Sequence, residues 1–135
     1  MTAQKDNPFL TITLTDRRPV KINKEAWPIY ADATDSWHDN QYECQANRKE
    51  SVVIRVRKHA DGRSIVYGVY DYSTQWQDER DACARVGVMI DADADLVEAI
   101  KSVGAMLEAR DITPQNVSIK NTVAACVADL PAEEI

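Results

Sequence analysis

The sequence predicts an α+β fold, an antiparallel sheet of about five strands with two C-terminal helices packed on one face. Three observations carry this. Apolar residues alternate with polar ones along several short runs in the first two-thirds of the chain. An Asp-Gly dipeptide at 61–62 separates two such runs. The last forty residues switch to helical spacing. Strands followed by helices give this class.

The elements follow in order. Leu10, Ile12 and Leu14 alternate with Thr11, Thr13 and Thr15, as in a half-buried strand. Asp16-Arg17-Arg18 reads as a turn, after which Val20 pairs with Leu14 and Ile22 with Ile12. Trp27-Pro28 precedes an expected short helix at 28–33 and then a loop. The main hairpin spans 51–72. Asp61-Gly62 suits a two-residue type I′ turn, which sets Val56 opposite Tyr67 and Ile54 opposite Val69. Those four residues are then core, and Val53, Arg55, Arg57 and Tyr70 lie on the second face. Ser73–Asp81 reads as a loop, with a Thr74-x-x-Gln77 capping box as the alternative. Val86, Val88 and Ile90 mark a strand at 84–90.

Asp93 or Asp95 caps the first helix, whose stripe is Leu96, Ile100, Val103 and Leu107. Thr113 is the expected N-cap of the second, with Pro114 at its first position and Ile112 and Val117 as a hydrophobic staple. Val123, Val127 and Leu130 continue its apolar stripe. The 135 residues fit one domain, with 1–7 and 131–135 expected to fray.

Charge is uneven. Residues 1–70 hold 11 basic and 9 acidic side chains, and residues 71–135 hold 5 basic and 13 acidic, so the halves carry +2 and −8. Asp78, Glu79, Asp81, Asp91, Asp93 and Asp95 are the candidate acidic surface, suited to a protein partner with a basic face. Arg55, Arg57, Lys58 and Tyr70 form the alternative, a basic and aromatic face on the hairpin able to hold single-stranded nucleic acid. No catalytic, metal or cofactor motif is present, so the reading is a non-enzymatic binding protein. Asp91-Ala-Asp93-Ala-Asp95 opens like a calcium loop, but Leu96 and Ser102 stand where that loop needs Gly and Glu. His38 and His59 read as surface residues, and an unrecognised enzyme site would need one of them against Cys83. Cys44, Cys83 and Cys126 show no CxxC or Cys/His spacing, so they are expected as reduced thiols in the cytoplasm. No apolar run reaches the roughly 18 residues of a membrane span. A symmetric homodimer through a sheet edge or the helices stays open.

The stretches Leu14-Thr-Asp-Arg-Arg-Pro-Val-Lys-Ile22 and His59-Ala-Asp-Gly-Arg-Ser-Ile-Val-Tyr-Gly-Val-Tyr70 resemble small accessory proteins of phages and mobile elements. That group includes anti-restriction and anti-CRISPR proteins. The resemblance implies binding and inhibition of a nucleic-acid-handling host or defence protein, without catalysis.

Overall fold

The computed structural model describes residues 7–39 and 48–132. Cys44 and most of the expected frayed termini lie outside them. Six strands and two helices follow in order: β1 (Phe9–Ile12), β2 (Val20–Asn23), β3 (Ile29–Asp39), β4 (Arg48–Lys58), β5 (Ser64–Thr74), β6 (Ala82–Ile90), α1 (Leu96–Glu108) and α2 (Ile119–Asp129). The α+β class stands, with both helices on one face. The strands, however, form two sheets: an antiparallel sheet β3-β4-β5-β6 and a separate ribbon β1-β2.

The result is three layers. On one face, Val52, Ile54, Val56, Val66, Tyr70 and Val86 pack under Ile100, Val103 and Leu107 of α1 and Ile119 and Cys126 of α2. On the other, Ile65 and Tyr67 pack under Ile12, Leu14, Ile22 and Trp27. β5 is therefore buried on both sides, as a strand between two apolar layers must be. No helix among the described residues is long and apolar enough to cross a membrane.

The main hairpin forms, with a different turn. The His59 N–H donates to Arg63 O, and the Gly62 N–H donates to His59 O. Within the turn only Gly62 has positive φ, at 97°, whereas a type I′ turn needs two such residues. The loop is thus Ala60-Asp61-Gly62, a type I turn closed by a left-handed glycine, one residue longer than expected. The register moves by one: Val56 faces Val66, Ile54 faces Gly68 and Arg55 faces Tyr67. Every β5 side chain changes side. Tyr70 joins the helix face, and Tyr67 and Val69 join Arg55 and Arg57.

The first hairpin is shifted by two, with Ile12 opposite Val20 and Leu10 opposite Ile22. An even shift keeps the faces. It frees Leu14 to pack near Gly87, where a Cβ would meet Thr13 O at 2.5 Å. Residues 28–33 are not helical, because β3 runs through them as an edge strand. Its polar Thr34, Ser36 and His38 face solvent, while small Ala31 and Ala33 lie on the helix side.

α1 is capped by Asp95, as expected. α2 starts at Ile119 with Ser118 as N-cap, later than the expected Thr113. Two carboxylates from the sheet hold the intervening chain, which bends at 115–117, ahead of the helix. Glu50 accepts from the N–H of Asn116 at 2.7 Å and of Gln115 at 3.3 Å, and Asp35 accepts from the Ser118 N–H at 2.8 Å. Glu50 is 2% exposed and also accepts the Tyr70 hydroxyl at 2.5 Å. Burial, and then the Glu50 carboxylate, push the Tyr70 hydroxyl well above its ordinary pKa.

Candidate functional site: the cleft between ribbon and sheet

The ribbon covers only the half of the second sheet face nearest the hairpin turn. Beyond its margin a cleft of about 250 Å³ opens, walled by Leu10, Thr11, Ile12 and Thr13 and floored by Val53, Tyr67 and Val69. Arg55 and Arg85 line it as well. This placement follows from strand alternation: Val53, Arg55, Tyr67, Val69 and Arg85 share one side of adjacent strands.

Arg55 is held by Asp32, with Nε 3.0 Å from Oδ1 and Nη2 3.4 Å from Oδ2. Burial works against its charge, but hydrogen bonds to Asp32 and Tyr67 outweigh that and raise its pKa. Behind it, Arg57 is 6% exposed and donates from Nε to the Tyr67 hydroxyl at 3.0 Å and from Nη1 to Trp27 O at 3.1 Å. Among the described residues, neither Arg57 nor Arg85 forms an ion pair. A guanidinium carries five donors, so this end of the sheet holds more cationic hydrogen-bonding capacity than the chain itself uses.

The four residues of the expected basic face are not one surface. Arg55 lines the cleft, and Arg57 is buried. Lys58 lies over the Tyr30 ring at 4.6 Å. Tyr70 is under the helices, because the register differs by one.

The acidic residues also separate. Asp78, Glu79 and Asp81 precede β6, and Asp91, Asp93 and Asp95 follow it, so nine residues at about 3.3 Å each, roughly 30 Å, divide the two groups. Half of them serve the fold. Glu79 accepts from the hydroxyls of Tyr72 at 2.7 Å and Thr74 at 2.8 Å, and these bonds hold its carboxyl below the usual range. Asp81 accepts the Thr74 N–H at 2.8 Å, so a staple stands where a capping-box helix was the alternative. Asp95 caps α1. Asp78, Asp91 and Asp93 are exposed.

Cys83 is exposed on β6, and Cys126 is buried on the sheet-facing side of α2. Burial, with Asp32 and Asp129 nearby, pushes the Cys126 thiol up to about 11.

Most of the cleft was missed from sequence: Leu10, Thr11, Ile12, Thr13, Val53, Tyr67, Val69 and Arg85. One signal was available. Arg85 and Gly87 share a parity in an otherwise apolar strand, and glycine inside a strand marks a close approach. Comparison with family profiles, with curated proteins and with solved structures returns no match.

Proposed function

We propose that this chain is a non-enzymatic binding module whose recognition element is the ribbon–sheet cleft, and that the cleft takes an anionic group carried on a small apolar body. The observation that carries the reading is the pairing of an apolar floor, Val53 and Val69, with the guanidinium groups of Arg55 and Arg85 in one opening. At about 250 Å³ the cleft is near the small end of ligand sites, which run from about 300 to 1,000 Å³. That size fits a side chain or headgroup better than a dinucleotide.

The test is calorimetric titration with octanoate, octyl phosphate and octanol, read alongside side-chain NMR shifts of Val53, Val69 and Tyr67. The anions are expected to bind and octanol to bind at least about tenfold more weakly, a loss of about 1.4 kcal/mol. The balance between octanoate and octyl phosphate separates a carboxylate from a phosphate ligand. Equal binding of all three, or shifts away from the cleft, contradicts the reading.

A second reading keeps the acidic surface for a basic protein partner, as an inhibitor of a nucleic-acid-handling protein would use it. The exposure of Asp91 and Asp93 in the turn after β6 favours it. It predicts that D91K/D93K abolishes capture of such a partner while leaving octanoate binding intact.

A further inference from the structure

Among the described residues β6 is the last strand of its sheet and pairs only with β5, in a register that runs without a bulge from Ser64/Ile90 to Tyr72/Ala82. Among the described residues its outer edge is used at one point. The Thr15 N–H donates to Gly87 O at 2.8 Å, and the Gly87 N–H donates to Thr15 Oγ1 at 3.1 Å. The backbone of Gly87 therefore points away from β5. By the alternation of an antiparallel ladder, the backbone groups of Cys83 and Arg85 point the same way. No hydrogen bond among the described residues meets them. The chain's own segment thus meets this edge at Gly87, through one backbone bond and one hydroxyl bond, and stops, leaving the next two outward positions open.

Such an edge is a template for another strand unless it is blunted by charge, proline or a bulge. Residues 82–86 carry neither proline nor a bulge, and their one charge, Arg85, belongs to the cleft. The charge around the Gly87 end of this edge is mainly basic. Arg17 and Arg18 follow Thr15 after Asp16 and are exposed, and Arg85 stands two residues before Gly87. Asp16 lies in the same turn, and the Cys83 end is acidic, with Asp71 opposite Cys83 and Asp81 directly before β6.

We propose that the partner is an extended acidic peptide that adds to β6 at Cys83 and Arg85 and places one carboxylate side chain in the cleft beside Arg85. This deepens the cleft reading and rests on it. Main-chain pairing supplies affinity, and the cleft supplies selection for the acidic side chain, the usual division in strand addition.

The test uses the whole chain, labelled with ¹⁵N, and the peptide acetyl-Thr-Val-Glu-Val-Thr-amide. Controls are the same peptide with Lys for Glu, and with alternate backbone nitrogens methylated. The acidic peptide is expected to slow amide hydrogen exchange at Cys83 and Arg85. Both controls and the Arg85→Glu variant are expected to bind at least about tenfold more weakly. Equal binding of the Lys peptide or of the methylated peptide overturns the proposal. So does protection of the two amides in the protein alone that is lost on dilution, because a second copy of the chain then occupies the edge. Octanoate binding without any peptide protection leaves the cleft reading standing and removes strand addition. Failure of both ligands removes both.

Discussion

Replacing Glu50 tests how the sheet holds the chain ahead of α2. Its carboxylate is 2% exposed and has no cation partner among the described residues. It is satisfied by the Tyr70 hydroxyl at 2.5 Å and the Asn116 N–H at 2.7 Å, with the Gln115 N–H farther off at 3.3 Å. Tyr70→Phe removes one hydrogen bond to a charged acceptor, a cost of about 1.5–3 kcal/mol. Glu50→Leu leaves the Tyr70 hydroxyl buried without a partner, a cost of about 1–3 kcal/mol, while the amides of Gln115 and Asn116, which are exposed residues, turn to water. The double variant has neither an orphan hydroxyl nor an undersatisfied carboxylate. It is expected to lose about 2 kcal/mol less than the sum of the single variants, within the coupling range for contacting residues. Urea unfolding followed by circular dichroism reads this directly. At a slope of about 2 kcal/mol/M, each 2 kcal/mol moves the midpoint by about 1 M. Costs that add to within about 0.5 kcal/mol would refute the reasoning.

Three further outcomes are expected. Gly104→Ala drives a Cβ into Val123 Cγ2 where α1 meets α2, and should cost about 1–3 kcal/mol in urea unfolding, with Val123→Ala restoring much of the loss. Gly62→Ala puts a side chain at φ 97° and 2.6 Å from the Ala92 Cβ, so a thermal melt should show destabilisation of at least about 1 kcal/mol. Stability should fall in alkali. The Cys126 thiol sits near 11 in the fold against 9.0 unperturbed, so its contribution is intact below pH about 9 and is lost as pH rises toward 11. The loss is about 2–3 kcal/mol at about 1.4 kcal/mol per unit, and Cys126→Ala should flatten that limb of the pH–stability curve.

The parts of the fold legible in the sequence were those in which one pattern had one solution. Leu96, Ile100, Val103 and Leu107 fit a helix and nothing else, and Asp95 could cap it. The hairpin was legible as a hairpin but not in register. Ile65-Val66-Tyr67-Gly68-Val69-Tyr70 is apolar at both parities, because β5 lies between two apolar layers, so patterning could not choose between neighbouring registers. The turn decided it, and Asp-Gly serves a three-residue loop as well as a two-residue one. β3 was illegible for a different reason. Its Ala31 and Ala33 on the helix side, and its capping Asp35, are dictated by α2, which lies far away in sequence. The start of α2 was hidden likewise, since Glu50 and Asp35, far away in sequence, hold the amides of Gln115, Asn116 and Ser118 ahead of the helix. The cleft inherits these difficulties. It is assembled from β1, β4, β5 and β6, and its placement depends on the one-residue shift that local sequence did not reveal.

The measurement that bears most directly on the central claim is octanoate titration of the native chain and of its Arg55→Ala and Arg85→Ala variants, followed by NMR at Val53, Val69 and Tyr67. Saturable shifts confined to these residues, with affinity falling at least about tenfold in each variant, are the predicted result. Shifts absent from the cleft, or affinity unchanged when both arginines are removed, would contradict it.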